Sequence, residues 1–577
     1  MENSYRKSMT WLHTYTGLIL GWLLFAIFVS GTSSYYEKEI TIWMKPELHK
    51  SQESEKTLDI AIDKALENIE NSNRVSIELP NNRNNTIKVT KNNGRNHHHH
   101  HGPNDEHSQV QKKGDSPSGK PDLSNPSKSE DKKEKKRGPR PKPEYYDAST
   151  GEKLEARDTQ GGGFLYRLHF ELYNLPRDVA SWIVGIAAMS MLIAIISGVI
   201  MHKRIIKDIF TFRPKNGPRG WMDAHILPAV AALPFLIMIT YSGLILLAET
   251  LMPWALNTHY NGNFGKYIQD IDKVIIDKKV NTNEFTLEQK IIQINNQINK
   301  EETNSEQNEV NLKAILTKGN DFYKNGISSF TITKDPVLNS IKVEIKPNED
   351  TSIFSYKRDK DSITFDANSG KLLKISKAGS TQSTIYDTEN TFRSLHMALF
   401  ADSILRFIFF IFGISGIVLV GTGLILWTEK RKNKSKKSFG FWLVEKLNIG
   451  TIVGLFIAIG IYFIANRLIS IEETMRSSFE INAFFIAWAA SYIHAFIRNT
   501  KKAWIEQLTL ASLLFLTLPI LNALMTFENI SWIYDRDSIL IGFDLFFIFL
   551  FLVFSLITFI ARKKFKKGEI QYYQVYV

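Results

Sequence analysis

Four histidines sit at matched places in this chain, each at the edge of an apolar run. His13 opens the run 14–28, and His225 opens the run 226–248. A Ser-Gly step closes eighteen residues after each of them, Ser30-Gly31 in one case and Ser242-Gly243 in the other. Arg167-Leu168-His169 precedes another apolar run, and Arg393-Ser394-Leu395-His396 precedes a fourth. A lone histidine at a membrane edge is ordinarily a tolerated amphipathic residue. Repeating both the histidine and its distance from the span argues instead for a duplicated unit with a task for imidazole. Haem iron is the leading candidate for that task.

Positioning these side chains falls to membrane helices. The chain has 577 residues, 44% hydrophobic and 23% charged, but apolar runs alternate with very polar stretches. Eight runs, at about 14–35, 180–201, 225–248, 404–427, 449–466, 481–497, 504–524 and 539–561, approach the roughly 20 residues a helix needs to cross a bilayer. The fifth and sixth are short, which suits a different tilt or a partly interfacial position. The expected fold is a mainly α integral membrane protein of about eight transmembrane helices. Basic loops at 202–219, 430–437, 498–502 and 562–567 fall on one side if the spans alternate, which places them and both termini in the cytoplasm. The net charge of +12 therefore speaks of topology, with lipid and not nucleic acid as the partner. The first span lacks a small-residue cleavage site and reads as an anchor, not a removed signal peptide.

Cysteine is absent. Cysteine-ligated iron–sulfur clusters, thiol redox chemistry and disulfides are excluded, as is covalent haem attachment through C-x-x-C-H. Any haem is held non-covalently.

Two polar inserts lie between spans, at about 36–163 and 249–395. In the first, Leu58, Ile60, Ala61, Ala65, Leu66 and Ile69 trace an amphipathic helix, and 74–79 reads as a strand. In the second, 328–332 and 341–345 are strand candidates. Each then carries a related element, Tyr146-Asp147-Ala148-Ser149-Thr150-Gly151 and Phe365-Asp366-Ala367-Asn368-Ser369-Gly370. Asp followed four residues later by Gly suits a tight turn between strands. The duplication thus covers span, α+β insert and span. Residues 91–143 have almost no large apolar side chains and cannot form a core. They carry His97 to His101 and His107, read as a solvated loop, with local metal capture as the alternative. The expected divisions are a first span (1–35), a first insert (36–163), spans two and three (164–248), a second insert (249–395), span four (396–430) and a four-span extension (431–577). The extension, with His494 as its one histidine, suggests no chemistry by itself.

The opening Trp11-Leu12-His13-Thr14-Tyr15-Thr16-Gly17-Leu18 resembles that of PepSY-associated transmembrane proteins. So do the Asp147 and Asp366 turn elements and the stretch Ser197-Gly198-Val199-Ile200-Met201-His202-Lys203-Arg204. The resemblance covers about residues 1–430 and is greatest to the iron-regulated branch that includes siderophore-iron reductases. It implies PepSY-like inserts and an inner-membrane b-type cytochrome passing electrons to ferric siderophores in the periplasm.

Helix geometry places the histidines at two depths. If the repeats pack about a pseudo-two-fold axis normal to the membrane, His13 faces His225 and His169 faces His396, giving two bis-imidazole haem sites. At about 1.5 Å per residue, their levels lie about 30 Å apart. His202, ending span two, either replaces His13 or His225 as a ligand or contacts a haem propionate with Lys203 or Arg204. Arg167 and Arg393 can neutralise propionates or attract an anionic chelate, and interfacial snorkelling is the plain alternative. Tyr166, Phe170, Tyr173 and Phe392 suit either a haem edge or an aromatic belt. Asp178 with Arg177, and Asp402 with Arg406, read as boundary and capping groups. No Gly-rich dinucleotide fingerprint follows a strand, so the electron donor is expected to be a quinol or a separate reductase. Two other function classes stand beside this one: a PepSY sensor that regulates a protease, and a metal or siderophore transporter component. The transporter reading is weakened by the lack of an evident acidic pair within the spans.

Overall fold

The computed structural model describes residues 2–81, 83–92, 142–201, 217–262, 266, 312–323, 326–335, 340–348, 362–367, 370–376, 384–435, 438–526 and 538–575. The expected architecture of apolar helices with α+β inserts is what these residues form. Seven helices are long and apolar enough to cross a membrane, and an eighth span is present if one bent pair counts as one.

The first repeat opens with helix α1 (Glu2–Ser34) and continues through α2 (Glu37–Trp43) and α3 (Thr57–Ile69). Strands β1 (Arg74–Glu78), β2 (Ile87–Asn92), β3 (Glu144–Tyr146) and β4 (Lys153–Leu154) follow. It returns through α4 (Gly162–Glu171) to α5 (Arg177–Met201). In the second repeat the span is broken into α6 (Pro218–Ala231) and α7 (Leu233–Leu246), which meet at a 71° bend. Two prolines explain the break. Pro228 and Pro234 each lack an amide hydrogen, and each ring crowds the carbonyl four residues before it.

The second insert supplies α8 (Leu312–Phe322), β5 (Ile327–Asp335), β6 (Ser340–Pro347), β7 (Ser362–Asp366) and β8 (Leu372–Ser376). The chain then returns through α9 (Thr384–Met397) to α10 (Ser403–Ser435). Asp402 caps α10, its carboxylate accepting from the Leu405 amide at 2.7 Å, which agrees with its reading as a boundary group.

The two inserts share one antiparallel sheet of order β4-β3-β2-β1-β5-β6-β7-β8. Its centre is the β1–β5 pairing, with Ser76 opposite Thr331 and their hydroxyls 3.1 Å apart. Period-two alternation explains the pairing. Val75 and Ile77 on β1, and Phe330 and Ile332 on β5, are buried in one core with Ala61, Ile62 and Ala65 of α3 and Leu312, Ile315 and Leu316 of α8. Each half covers the strand edge that the other would leave open. The two Asp–Gly elements close alike at their described ends: the Asp147 amide donates to the Glu152 carbonyl and the Asp366 amide to the Lys371 carbonyl, both at 2.8 Å, with Gly151 at φ 73° and Gly370 at φ 67°. In the first, Asp147 Oδ1 accepts from the amides of Ser149 and Thr150, both at 2.8 Å, and from the Ser149 hydroxyl at 2.7 Å.

The C-terminal extension contributes α11 (Phe439–Ile452), α12 (Gly454–Leu468), α13 (Arg476–Ile497), α14 (Thr500–Thr526) and α15 (Ser538–Val575). Helices α11 and α12 run on as one span-length unit, Phe439–Leu468. This is longer than the short fifth run read from hydropathy.

Candidate functional site

Each of the four histidines packs against a hydroxyl–glycine step on a neighbouring helix of its own repeat. His13 on α1 meets Ser197-Gly198 on α5, and His169 on α4 meets Ser30-Gly31 on α1. His225 on α6 meets Thr422-Gly423 on α10, and His396 on α9 meets Ser242-Gly243 on α7. A Cβ at the glycine would lie 3.3 Å from His13, 2.6 Å from His169, 3.0 Å from His225 and 3.1 Å from His396. The glycine is therefore the space the ring occupies.

The same arrangement fixes the proton. Nδ1 of His13 lies 2.8 Å from the Ala194 carbonyl, that of His169 2.8 Å from Ile27, and that of His225 2.9 Å from Leu419. Each carbonyl belongs to the residue four before the glycine. A carbonyl oxygen only accepts, so Nδ1 carries the hydrogen and Nε2 is the nitrogen that carries the lone pair. His396 Nδ1 lies 2.9 Å from the Ser242 hydroxyl and also bonds the Ile239 carbonyl. The Ser242 hydroxyl already donates to Met238 O at 2.7 Å, so here too Nδ1 is the donor. Ser30, Ser197 and Thr422 turn their hydroxyls back in the same way, to Ala26, Ile193 and Val418. Burial pushes His169 below its ordinary pKa, against the pull of the Ile27 carbonyl. His396 is pushed down to about 3, by burial first and then by His169 and Arg393. Both imidazoles are thereby held neutral.

The rings then pair across the repeats. His13 and His225 have ring centres 6.1 Å apart with planes at 73°, and His169 and His396 are 6.0 Å apart at 35°. An imidazole nitrogen binds a metal at about 2.0 Å, and the ring centre lies about 1.1 Å behind it, so two rings on opposite sides of one ion stand roughly 6 Å apart. Both observed separations match. His13 and Gly31, which marks the His169 level, are 18 residues apart on α1, a rise of about 27 Å. The bend between α6 and α7 leaves both pairs intact.

A cavity of about 620 Å³ reaches the His169–His396 pair. Its lining includes Lys38, Arg83, Arg177, Arg393 and Arg406, with Glu37 as the one carboxylate among the lining residues. Arg83 grips Glu39 through two bonds of 2.6 Å, and Arg406 shares that carboxylate at 3.3 Å. Arg167 and Arg393 each pair with a glutamate one turn away, Glu171 and Glu389, both at 2.8 Å. Of these two, Arg393 lines the cavity. Tyr166 and Phe170 line it as well, whereas Phe392 packs on Tyr241 and Tyr173 on Phe164 and Phe485.

At the other pair, Trp427 lies one turn beyond Gly423, and its indole N–H is buried with no hydrogen-bond partner among the described residues. The Arg431 guanidinium covers its ring at 4.3 Å. His202 lies outside the described residues, as do His97 to His101 and His107. His494 pairs with Glu506 at 2.9 Å, away from both histidine pairs.

Two things escaped the sequence reading. Thr422-Gly423 completes the set of four steps, and Thr standing for Ser hid it. The C-terminal extension buries Glu480 and Asp544 with Arg467 and Arg476, single charges in apolar stretches that were the available signal.

These features define a multi-pass membrane protein built from a duplicated span–insert–span unit around two imidazole pairs. The chain belongs to the PepSY-associated transmembrane family, whose PepSY-associated TM region matches residues 10–430. Comparison with curated proteins gives no match.

Proposed function

We propose that the protein is a b-type di-haem cytochrome of the bacterial inner membrane that carries electrons to ferric siderophores on its far side. The observation that carries this reading is the pair of imidazole pairs, each about 6 Å between centres and each ring anchored through Nδ1. The residues present fit the group. The tautomer leaves the lone pair on Nε2, glycine clears the ring, and cations at one level can meet two propionates. At the other level the orphaned Trp427 N–H offers a donor of the right kind.

Haem b, when bound, supplies one-electron transfer between its ferrous and ferric states. The chain's own part is to hold four imidazoles in one tautomer. A backbone carbonyl at Nδ1 fixes each ring's orientation and raises its basicity as a ligand. Burial lowers the pKa of His169 and His396 and keeps them neutral, so no proton competes for Nε2 there. On this reading His13 and His225 form the cytoplasmic-side site and His169 with His396 the periplasmic one, with both termini in the cytoplasm. The basic cavity at the second site suits an anionic cofactor edge and an approaching chelate. Reduction frees the metal because oxygen-rich siderophores hold Fe(II) far less tightly than Fe(III). Electrons arrive from a quinol or a separate reductase.

The test is an absorption spectrum of the purified protein from haem-sufficient cells. Two haems b per chain are expected, with bands that sharpen on reduction and decay when ferric siderophore is added without oxygen. A colourless preparation overturns the cytochrome. Stable reduced bands in the presence of the chelate overturn the acceptor.

A further inference from the structure

The four C-terminal spans have no part in either imidazole pair, yet they bury a polar network against the first repeat. Arg157 pairs with Glu47 at 2.6 Å and donates to the Asn466 carbonyl at 2.7 Å. Arg467 donates to the Trp43 carbonyl at 2.6 Å and covers the Trp43 ring at 3.9 Å. It reaches Asn522 at 3.1 Å, and Asn522 in turn donates to both oxygens of Asp544 at 3.2 Å. Glu480, fully buried, accepts from Asn466 at 2.8 Å and from the Thr159 hydroxyl at 2.5 Å, with Arg476 at 3.3 Å.

Thr159 and its neighbours are the approach to α4. The Gly161 amide donates to Thr159 Oγ1 at 3.1 Å, and its carbonyl accepts from the Tyr462 hydroxyl at 3.0 Å. Gly161 sits at φ 55°, and a Cβ there would lie 2.6 Å from the Thr41 hydroxyl oxygen. Phe164, fully buried, packs on Tyr462 and Phe484 at 5.0 Å each. From Gly161 to His169 is about two helical turns, roughly 12 Å of stiff lever.

We propose that the C-terminal bundle is a positioning platform for α4, setting the orientation of the His169 ring through the Thr159–Glu480 and Gly161–Tyr462 bonds. Buried ionic networks add little stability over packed apolar groups of the same volume, so the geometry they impose is their plainer use. Three arginines and three carboxylates are balanced here, which suits a fixed joint and not a charge carrier. Glu480 and Tyr462 are positioning residues: they act on the imidazole through α4. That last step rests on the function proposed above; the anchoring of α4 does not.

The experiment compares the full-length protein with Thr159→Val, Tyr462→Phe and Thr159→Ser variants. Hydrogen exchange in 160–169 should quicken about tenfold in the first two, as a buried hydrogen bond is lost, while 388–397 is unchanged. Thr159→Ser should restore the wild-type rate. In haem-loaded protein the paramagnetic resonance signal and midpoint potential of the His169–His396 site should shift, and those of the His13–His225 site should stay. Unchanged exchange in both Thr159→Val and Tyr462→Phe, or an equal rise in 160–169 and 388–397, overturns the platform. Altered exchange with an unmoved signal and potential overturns its role in orienting the ring. A wild-type protein without haem overturns the proposed function, and exchange then decides the platform alone.

Discussion

Helices α4 and α9 present equivalent histidines to one another, but they are held in different ways. Helix α4 packs mainly on α1 and α2 of its own repeat, but its first turn also meets the C-terminal bundle, with Phe164 fully buried against Tyr462 and Phe484 and Thr159, just before it, bonded to Glu480. Helix α9 packs chiefly on α7 of its own repeat, with Phe392 half-buried on Tyr241 and His396 on Ser242. The strain differs too. Leu172, Tyr173 and Asn174 follow α4 in three successive left-handed conformations, at φ 50°, 45° and 54°, where α9 is followed by Ala398 alone at 49°. Left-handed backbone costs roughly 1–2 kcal/mol per non-glycine residue. The abrupt stop after α4 therefore needs a firm anchor on the other side of the histidine, and the bundle supplies one. A duplicated unit can keep its histidine geometry while its two halves take different supports.

Replacing a ligand erases that difference. His169→Ala and His396→Ala should each remove one haem of the two, despite their unequal supports, and leave the His13–His225 spectrum in place. Haem content per chain and the resonance spectrum check this; full haem content in His396→Ala would disprove the site. Truncating the supports should expose the difference. Phe164→Ala empties a packed aromatic cluster and should cost about 3 kcal/mol, against about 1 kcal/mol for Phe392→Ala. Thermal melting of the purified variants decides, and equal losses would mean that the two helices are equally anchored.

Much of this is legible in the sequence. Span positions follow from hydropathy, because a bilayer demands long apolar runs. The histidine set follows from spacing, because duplication preserves offsets such as the one from His13 to Gly31. What hydropathy misses is the bend at Ala232: Pro228 and Pro234 break hydrogen bonds without making the run less apolar. It also misses the joining of β1 to β5, since strand order across two distant inserts depends on which edges meet in space. The acceptor for each Nδ1 lies on a different helix and is a backbone atom, which side-chain identity does not reveal. Ser197-Gly198 and Thr422-Gly423 stand at unequal distances from the histidines before them, 29 residues (169 to 198) and 27 residues (396 to 423), so spacing alone does not match them. Asp544 is isolated in sequence because its partner Asn522 comes from α14, and although Glu480 has Arg476 one turn before it, spacing does not reveal its bond to Thr159 before α4.

The glycines allow a finer comparison. A Cβ at Gly31 would come within 2.6 Å of the His169 ring, and one at Gly243 within 3.1 Å of His396. The tighter contact lies on the better-anchored side, where α4 cannot easily retreat. Gly31→Ala should therefore weaken haem retention by about 10–100-fold, the range seen when a ligand's outer support is disturbed. Gly243→Ala should have the smaller effect, since α9 has fewer fixed neighbours and can shift by a few tenths of an ångström. Haem loss to an excess of apo-myoglobin measures both. The reverse order would show that α9 is the stiffer helix.

The smallest expected difference lies in the sheet, at the first repeat's turn. Burial alone would raise the Asp147 pKa, but hydrogen bonds from Ser149 and Thr150 outweigh it and hold the carboxyl below its usual range. A carboxylate whose folded pKa is depressed stabilises the fold fully above its unfolded pKa, near 4, and loses that contribution as pH falls through the folded value. Asp147→Asn keeps the acceptor oxygen and removes the charge, so at pH 7 it should cost about 1 kcal/mol. The gap in melting temperature between wild type and variant should then narrow as pH drops below about 4. A gap of constant size from pH 7 to pH 3 would mean that the turn uses the oxygen and not its charge.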